Sequence, residues 1–292
     1  MELKRPLTLD EQLERLKEHG VIVEDLEEAK DFLRRVSYYR LTGYTLQFRK
    51  GPSVSDLAPG HKFSEICRIY EFDMQIRSLI RPYIEICEVY YKTHIAMVFA
   101  LEKCSDPPYD QHYNPDNYYY KEGFKKVLER FEKEEGYYSD SLIVKHHKQN
   151  YDGKMPIWVM FELMSFSDVS MLYSAMYKSS QEGIASDIGI GSKTLANHLH
   201  CMAVLRNKCA HTARLVNVRY NPPAKLSQKF LRDNPSVSND SLFAYLKVLL
   251  YRLPSDTMRV ELKGKIVNLI EEYKDVVDLS LIGFPLNYYN LM

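Results

Sequence analysis

Apolar residues recur every three or four positions along most of the chain, which is the spacing of one face of an α-helix. No segment alternates apolar and polar residues over several positions, as a half-buried β-strand does. The pattern therefore predicts an all-α fold. The spacing over residues 63–103 indicates one very long helix, or two helices that meet at Pro82, because proline removes a backbone hydrogen bond.

Residues with known capping preferences indicate where other helices begin and end. Thr8 and Glu11 have the capping-box spacing of a first helix, and Gly20 is typical of its C-terminal end. The remaining helices are predicted over residues 25–39, 122–135, 156–164, 167–177, 193–216, 241–252 and 256–274, with Pro156, Ser167 and Ser192 at three of the starts.

Residues 51–60 contain two prolines, two serines and two glycines, a composition that is typical of a linker. We therefore predict an N-terminal helical segment over residues 1–50 and a helical domain over residues 61–292. A single continuous domain over residues 1–292 is the alternative. The closing segment, residues 282–292, is apolar enough to dock on the rest of the molecule.

Composition limits the class of protein. No apolar run approaches the roughly 18 to 20 residues that cross a bilayer, and the N-terminus does not resemble a secretory signal. The five cysteines are odd in number and irregularly spaced, which favours reduced and mostly buried thiols over a disulfide framework. We expect a cytoplasmic protein with no membrane contact.

Positive charge is concentrated in one part of a chain whose formal net charge is zero. No acidic residue occurs between Asp187 and Asp233. The basic residues of that stretch are Lys193, Arg206, Lys208, Arg214, Arg219, Lys225, Lys229 and Arg232. Such a local field attracts phosphate groups, although a solvated cationic helix face would have the same composition.

The strongest chemical signal in this stretch is Arg206, Asn207 and His211. On a helix, Asn207, His211 and Arg214 would share one stripe, whereas Arg206 would point roughly 140° away from His211. One helix therefore does not easily aim Arg206 and His211 at the same atom. Two copies related by a two-fold axis would do so, which predicts a homodimer with a composite site; a distortion at the start of the helix is the alternative.

These residue types are suited to cutting RNA without a metal. A histidine exchanges a proton near neutral pH, so it can activate a ribose 2′-hydroxyl or protonate a leaving 5′-oxygen. An arginine stabilises the charge that develops on the phosphate. Asn207 would hold the imidazole or a backbone carbonyl in place. The alternative is that this Arg–His spacing is purely structural, as it is in many helices.

A metal site is the weaker interpretation of the histidines and cysteines, because the sequence contains no Cys-x-x-Cys pair and no His-Glu-x-x-His. We expect no metal and no cofactor. The candidates for contacts with RNA are Lys193, Lys208, Arg214 and Arg219. Glu88 and Lys92 are expected either as neighbours of the site or as a simple surface pair one helical turn apart.

Several blocks of the sequence occur in the order of a known family. They are Ser-Tyr-Tyr-Arg-Leu-Thr-Gly-Tyr at residues 37–44, Tyr-x-Phe-Asp-x-x-x-Arg at 70–77, the acidic-then-basic stretch 85–93, the block 156–167, and the segment 205–217 with Arg206 and His211. In these blocks the chain resembles the AbiD/AbiF-type abortive-infection proteins, a branch of the HEPN superfamily.

The resemblance implies a HEPN-like helical bundle with extra N-terminal and C-terminal helices, which dimerises around the site. Arg206 and His211 would be the catalytic pair and Asn207 the accompanying polar residue of a metal-independent endoribonuclease. The protein would act as an anti-phage toxin, with RNA as its substrate and a cognate structured RNA as its inhibitor.

Two other functions stay open at this point. A non-catalytic RNA-binding HEPN scaffold would share the basic face and lack turnover. A toxin that transfers a nucleotide group would need an acidic triad or a phosphate-binding loop, and the sequence shows neither.

Overall fold

The structure is a computed structural model, and it describes residues 3–51 and 56–292. These residues form helices joined by loops, with three isolated β-bridges and no β-strand among them. The prediction of an all-α fold is confirmed. No helix in this described part of the chain has the length and apolar character needed to cross a membrane.

The α-helices of the first part of the chain are α1 (Leu9–Glu18), α2 (Leu26–Arg35), α3 (Tyr38–Thr42), α4 (Phe63–Lys103), α5 (Lys121–Tyr137), α6 (Leu142–Asn150) and α7 (Ile157–Leu163). Those of the second part are α8 (Phe166–Ala175), α9 (Lys178–Asp187), α10 (Ser192–Ala210), α11 (Gln228–Asp233), α12 (Leu242–Arg252), α13 (Asp256–Tyr273) and α14 (Tyr288–Leu291). Short 3-10 helices cover Leu46–Phe48, Gln111–Tyr113, Pro115–Asn117 and Leu279–Ile282.

The first helices begin and end at the residues that local chemistry favours. The capping box of Thr8 and Glu11 is present at the start of α1, and Gly20 has a left-handed φ of 91° just after its end. The second helix is shorter than predicted, because Val36 adopts an extended conformation and Ser37 caps the start of α3.

Helix α4 is the element around which the others pack. It contacts α7, α8, α9, α10, α12 and α13. The question of one helix or two is answered, since α4 continues through Pro82. Pro82 lies on an exposed face of the helix, so its ring meets solvent and no neighbouring helix.

The hydrophobic core is continuous across the described residues. It includes Leu13 and Leu16 of α1 together with the apolar faces of α4, α8, α10 and α12. Four of the five cysteines are buried, as predicted. The closing segment docks through Ile282, Phe284 and Tyr288, which are also buried. The division at residues 51–60 stays a prediction, because residues 52–55 lie outside the described residues.

Two buried histidines connect the loops to this core. The Nε2 atom of His112 bonds the carbonyl of Met155 at 2.9 Å, and that of His198 bonds the carbonyl of Lys225 at 2.9 Å. Burial lowers the pKa of each imidazole to about 4. Both side chains are therefore neutral in the folded protein at neutral pH.

We predict that acid destabilises the protein through these two groups. As the pH falls, the histidines of the unfolded chain take up protons before those of the folded protein. The contribution of these two groups to stability is therefore fully present above the ordinary histidine pKa of about 6.5 and is lost as the pH falls toward about 4. Each histidine should lower the free energy of unfolding by roughly 2 kcal/mol between about pH 7 and about pH 5. Urea unfolding at the two pH values measures this loss.

The variant His112→Gln keeps a hydrogen-bond donor and does not titrate, so it should remove about half of the pH-dependent loss. His146→Gln changes an exposed histidine and should leave the loss as it is. An equal loss in the wild type and in His112→Gln would contradict the prediction.

Candidate functional site

The predicted site lies where α10 ends. The N–H of His211 donates to the carbonyl of Asn207 at 3.0 Å, and Thr212 then takes a left-handed φ of 50°, which turns the chain out of the helix. The prediction that this helix continues to residue 216 is wrong, and so is the shared stripe that included Arg214. The N-terminal cap is also one residue earlier, at Gly191 rather than Ser192.

Asp73 of α4 determines the path of the chain after this turn. Its carboxylate is fully buried and accepts hydrogen bonds from the backbone N–H groups of Leu215, at 2.7 Å, and Val216, at 3.0 Å. It also accepts from the hydroxyl of Tyr44, at 2.8 Å, and forms an ion pair with Arg77. The N–H groups of Leu215 and Val216 therefore donate to a buried carboxylate and not to the carbonyls of a helix. For this reason α10 does not continue through them.

The N-terminal block binds the same turn from the other side. The guanidinium of Arg40 donates to the carbonyl of Thr212 at 2.7 Å. The guanidinium of Arg214 donates to the carbonyl of Gly43, and a Cβ atom on Gly43 would lie only 2.6 Å from it. A larger residue at position 43 would therefore displace the guanidinium of Arg214. Burial lowers the pKa of Arg214, which is held inside the fold.

Glu88 of α4 holds Arg206, four turns of helix beyond Asp73. The Nε atom of Arg206 donates to Glu88 Oε2 at 3.2 Å, and Lys92 Nζ lies 3.0 Å from Glu88 Oε1. The side chains of Glu88 and Lys92 are only 11% and 13% exposed, so they are not a surface pair. Both lie beside the predicted site.

Asn207 contacts different groups from those expected. Its side-chain amide donates to Ser167 Oγ at 3.0 Å, and its oxygen lies 3.5 Å from Arg206 Nη1. Asn207 therefore positions Arg206, and its side chain does not hold the imidazole of His211. Ser167 was predicted as a helix cap, but Ser165 caps α8. Nothing in the sequence predicted that Ser167 would contact Asn207, apart from its place in the 156–167 block.

Arg206 and His211 are presented differently. The Arg206 side chain is 36% exposed, and its Nη2 atom has no partner among the residues that the structure describes. His211 is exposed at the helix end, and its ring bonds no described residue. Because α10 is continuous from Ser192 to Ala210, a helix distortion does not bring the two together. His211 is the C-cap residue just outside this helix, and no hydrogen bond joins its side chain to that of Arg206 among the described residues.

The predicted RNA-binding cations are less available than the sequence indicated. Lys193 is exposed. Lys208 is half-buried with its ammonium 5.3 Å from the ring of Tyr220, and burial lowers its pKa. Arg219 is exposed and forms an ion pair with Asp240 at 2.9 Å. The acid-free stretch therefore obtains its counter-charges from other parts of the chain.

No cluster of three or more histidine, cysteine, aspartate or glutamate side chains with the geometry of a metal site occurs within residues 3–51 and 56–292. The cysteine nearest the site is Cys209, and burial raises the pKa of its thiol to about 12. The neutral thiol packs in the core beneath the turn.

The sequence pattern of the Abi-like protein family matches residues 31–217, which is more than half of the chain. The chain belongs to the Abi-like protein family. The Abi-like match begins in α2 and ends at Asn217, so it contains Asp73, Glu88 and the whole turn after α10. It leaves out α1 and the helices α11 to α14. No curated protein and no solved structure matches the sequence.

We predict that Asp73→Ala lowers the free energy of unfolding by about 3 to 5 kcal/mol, because it leaves Arg77 buried without its counter-charge and removes the acceptor of two backbone amides. Urea unfolding measures the change. Asp275→Ala removes an exposed aspartate–arginine pair and should leave the free energy of unfolding nearly unchanged. Similar losses in the two variants would show that Asp73 does not organise the turn.

Proposed function

We propose that this Abi-like protein is a metal-independent endoribonuclease of the HEPN type, close to the AbiD/AbiF branch. It would act as an abortive-infection toxin and be held inactive by a cognate structured RNA. Membership of the Abi-like family supports the part in abortive infection. The observation that carries the chemistry is the pair of a held arginine, Arg206, and an exposed histidine, His211, at one end of one helix.

The contacts of Arg206 suit it to a phosphate. Glu88 binds Nε, on the inner edge of the guanidinium, and Asn207 lies beside Nη1. The outer edge with Nη2 is left for a ligand, and two parallel N–H groups on that edge fit the oxygens of a phosphodiester. Glu88 and Lys92 would fix the direction of this edge, so they are positioning residues.

The reaction needs a base and an acid on opposite sides of the phosphorus. His211 of one copy would take the proton of the ribose 2′-hydroxyl as the 2′-oxygen bonds phosphorus. The same histidine of a second copy would give a proton to the 5′-oxygen as its bond to phosphorus breaks. Arg206 would stabilise the charge on the non-bridging oxygens. The products are a 2′,3′-cyclic phosphate and a 5′-hydroxyl.

A non-catalytic RNA-binding scaffold is the second candidate, and one observation favours it. The imidazole of His211 has no hydrogen-bond partner among the described residues, whereas a catalytic histidine is commonly oriented by a neighbouring group. In a dimer, the second copy would have to supply that group.

We predict that purified wild-type protein, stripped of bound RNA, cuts mixed cellular RNA in EDTA and leaves 2′,3′-cyclic phosphate ends. His211→Ala and Arg206→Ala should each reduce the cleavage rate at least roughly 100-fold, the usual contribution of a general base or of a group that stabilises developing charge. Gel analysis of the fragments and mapping of their ends measure both results.

The matched controls are His200→Ala, an exposed histidine of the same helix, and Arg232→Ala, an exposed arginine of α11. Both should cut at nearly the wild-type rate. If the wild type and the His211 variant bind RNA equally and neither cuts it, the scaffold is the better explanation. Cleavage that is lost in EDTA would also contradict the proposal.

A mixing experiment tests the composite site. A mixed dimer of wild-type and His211→Ala chains keeps both arginines but only one histidine, so it lacks either the base or the acid of a composite site. We predict that an excess of the His211→Ala protein, added so that mixed dimers form, lowers the cleavage rate of the wild type toward that of the variant. If each protomer holds a complete site of its own, the wild-type protomer of a mixed dimer will still cut and the rate will not fall.

A further inference from the structure

A cleft of about 590 Å³ opens where α2 and α3 meet α4, beside the turn that follows α10. Four arginines line it, namely Arg35, Arg40, Arg77 and Arg81, and no carboxylate does. The four come from three separate segments, and none of them belongs to the acid-free stretch. The hydroxyls of Ser37 and Ser78 also line the cleft. The fold thus assembles a concave basic surface that no sequence window contains.

Two of these arginines are held rigidly and two are available. Arg77 is paired with Asp73, and Arg40 donates to the carbonyl of Thr212. Arg35 is exposed, and its only described hydrogen bond runs from Nε to a backbone carbonyl. Arg81 pairs with Glu85 at 2.9 Å, but both side chains are more than half exposed, so this pair is weak.

The charge of the cleft wall is positive even after the ion-pair partners of its arginines are counted; the carboxylates of Glu28 and Glu71 lie on the other side of Arg35, outside the cleft. Asp73 balances Arg77 and Glu85 balances Arg81, so Arg35 and Arg40 leave two positive charges without an acidic counter-charge at the cleft wall. Arginine forks bind phosphate oxygens in pairs, and a single phosphate is much smaller than this space. A chain of phosphates fits both the charge and the volume.

The cleft adjoins the candidate site. Cys209 and Thr212, which flank His211 in the sequence, form part of its wall. Along α4, Arg81 lies two turns from Glu88, the residue that holds Arg206, which is about 10 Å. A strand seated in the cleft would therefore pass the exposed imidazole of His211.

We propose that the four-arginine cleft binds the phosphodiester backbone of single-stranded RNA next to the phosphate that is cut. This inference rests on the proposed ribonuclease function. Arg77 and Arg40 form the fixed floor, and Arg35 and Arg81 close on the phosphates from the two sides. Contacts of this kind position the strand and read no bases.

The test measures binding separately from cleavage. The probe is a fluorescent oligouridylate with 2′-O-methyl groups, which lacks the hydroxyl needed for cleavage, and its affinity is measured by anisotropy at several salt concentrations. Arg35→Gln and Arg81→Gln should each weaken binding about tenfold. Each should also reduce the slope of log affinity against log salt concentration by about 0.7.

The controls are Arg34→Gln and Lys178→Gln, which remove exposed cations outside the cleft. Arg34 neighbours Arg35 and pairs with Asp31, and Lys178 forms an exposed helical pair with Glu182 like that of Arg81 with Glu85. Both should bind the probe as the wild type does. Arg81→Lys should recover part of the affinity, because it restores the charge without the fork.

The outcomes distinguish this inference from the ribonuclease proposal. If Arg35→Gln and Arg81→Gln bind the probe as tightly as the controls while the wild type cuts RNA, the cleft is not the backbone site and the ribonuclease proposal stands. If they bind weakly and the wild type cuts nothing, the cleft holds RNA and the ribonuclease proposal fails. Equal binding of an oligoglutamate would show that the cleft recognises acidic chains in general, which also overturns the inference.

Discussion

The buried carboxylate of Asp73 is the constraint on which the site depends. A buried carboxylate is stable only when hydrogen-bond donors or a counter-charge replace the lost water. The donors to Asp73 are the hydroxyl of Tyr44, the guanidinium of Arg77 and two backbone amides after α10. The two amides come from a segment that would otherwise have stayed helical. Because Asp73 takes them, α10 ends at Ala210 and His211 stands at an exposed helix terminus.

A second carboxylate, Glu88, acts on the same segment from the other end. Glu88 binds the side chain of Arg206, and Asp73 binds the backbone of Leu215 and Val216. The segment with the candidate catalytic residues is thus attached to α4 at both of its ends. This arrangement requires α4 and α10 to run antiparallel. All five blocks that carry the resemblance to abortive-infection proteins contribute to these contacts, through Arg40, Asp73, Glu88, Ser167 and the segment 206–216.

Local chemistry was enough to predict much of the fold. The capping box at Thr8, the extent of α4 and the last long helices follow from short-range preferences and periodicity. The end of α10 could not be predicted in this way. The buried apolar residues Leu215 and Val216 continue the helical pattern, but the helix is ended by Asp73, which lies 142 positions before Leu215. The acid-free stretch contains the candidate site, but its counter-charges lie outside it: Asp240 follows the stretch, and Glu88 lies 118 positions before Arg206. The arginine cleft could not be predicted either, because its four arginines come from segments that are separate in the sequence.

Both carboxylates lie on one unbroken helix, and this limits where insertions and deletions can be accepted during evolution. One residue gained or lost between Asp73 and Glu88 would rotate one carboxylate by about 100° relative to the other and shift it by about 1.5 Å, so both could no longer face α10. The long loop before α5 carries no such restriction. Length variation among relatives should therefore accumulate in loops and spare the middle of α4.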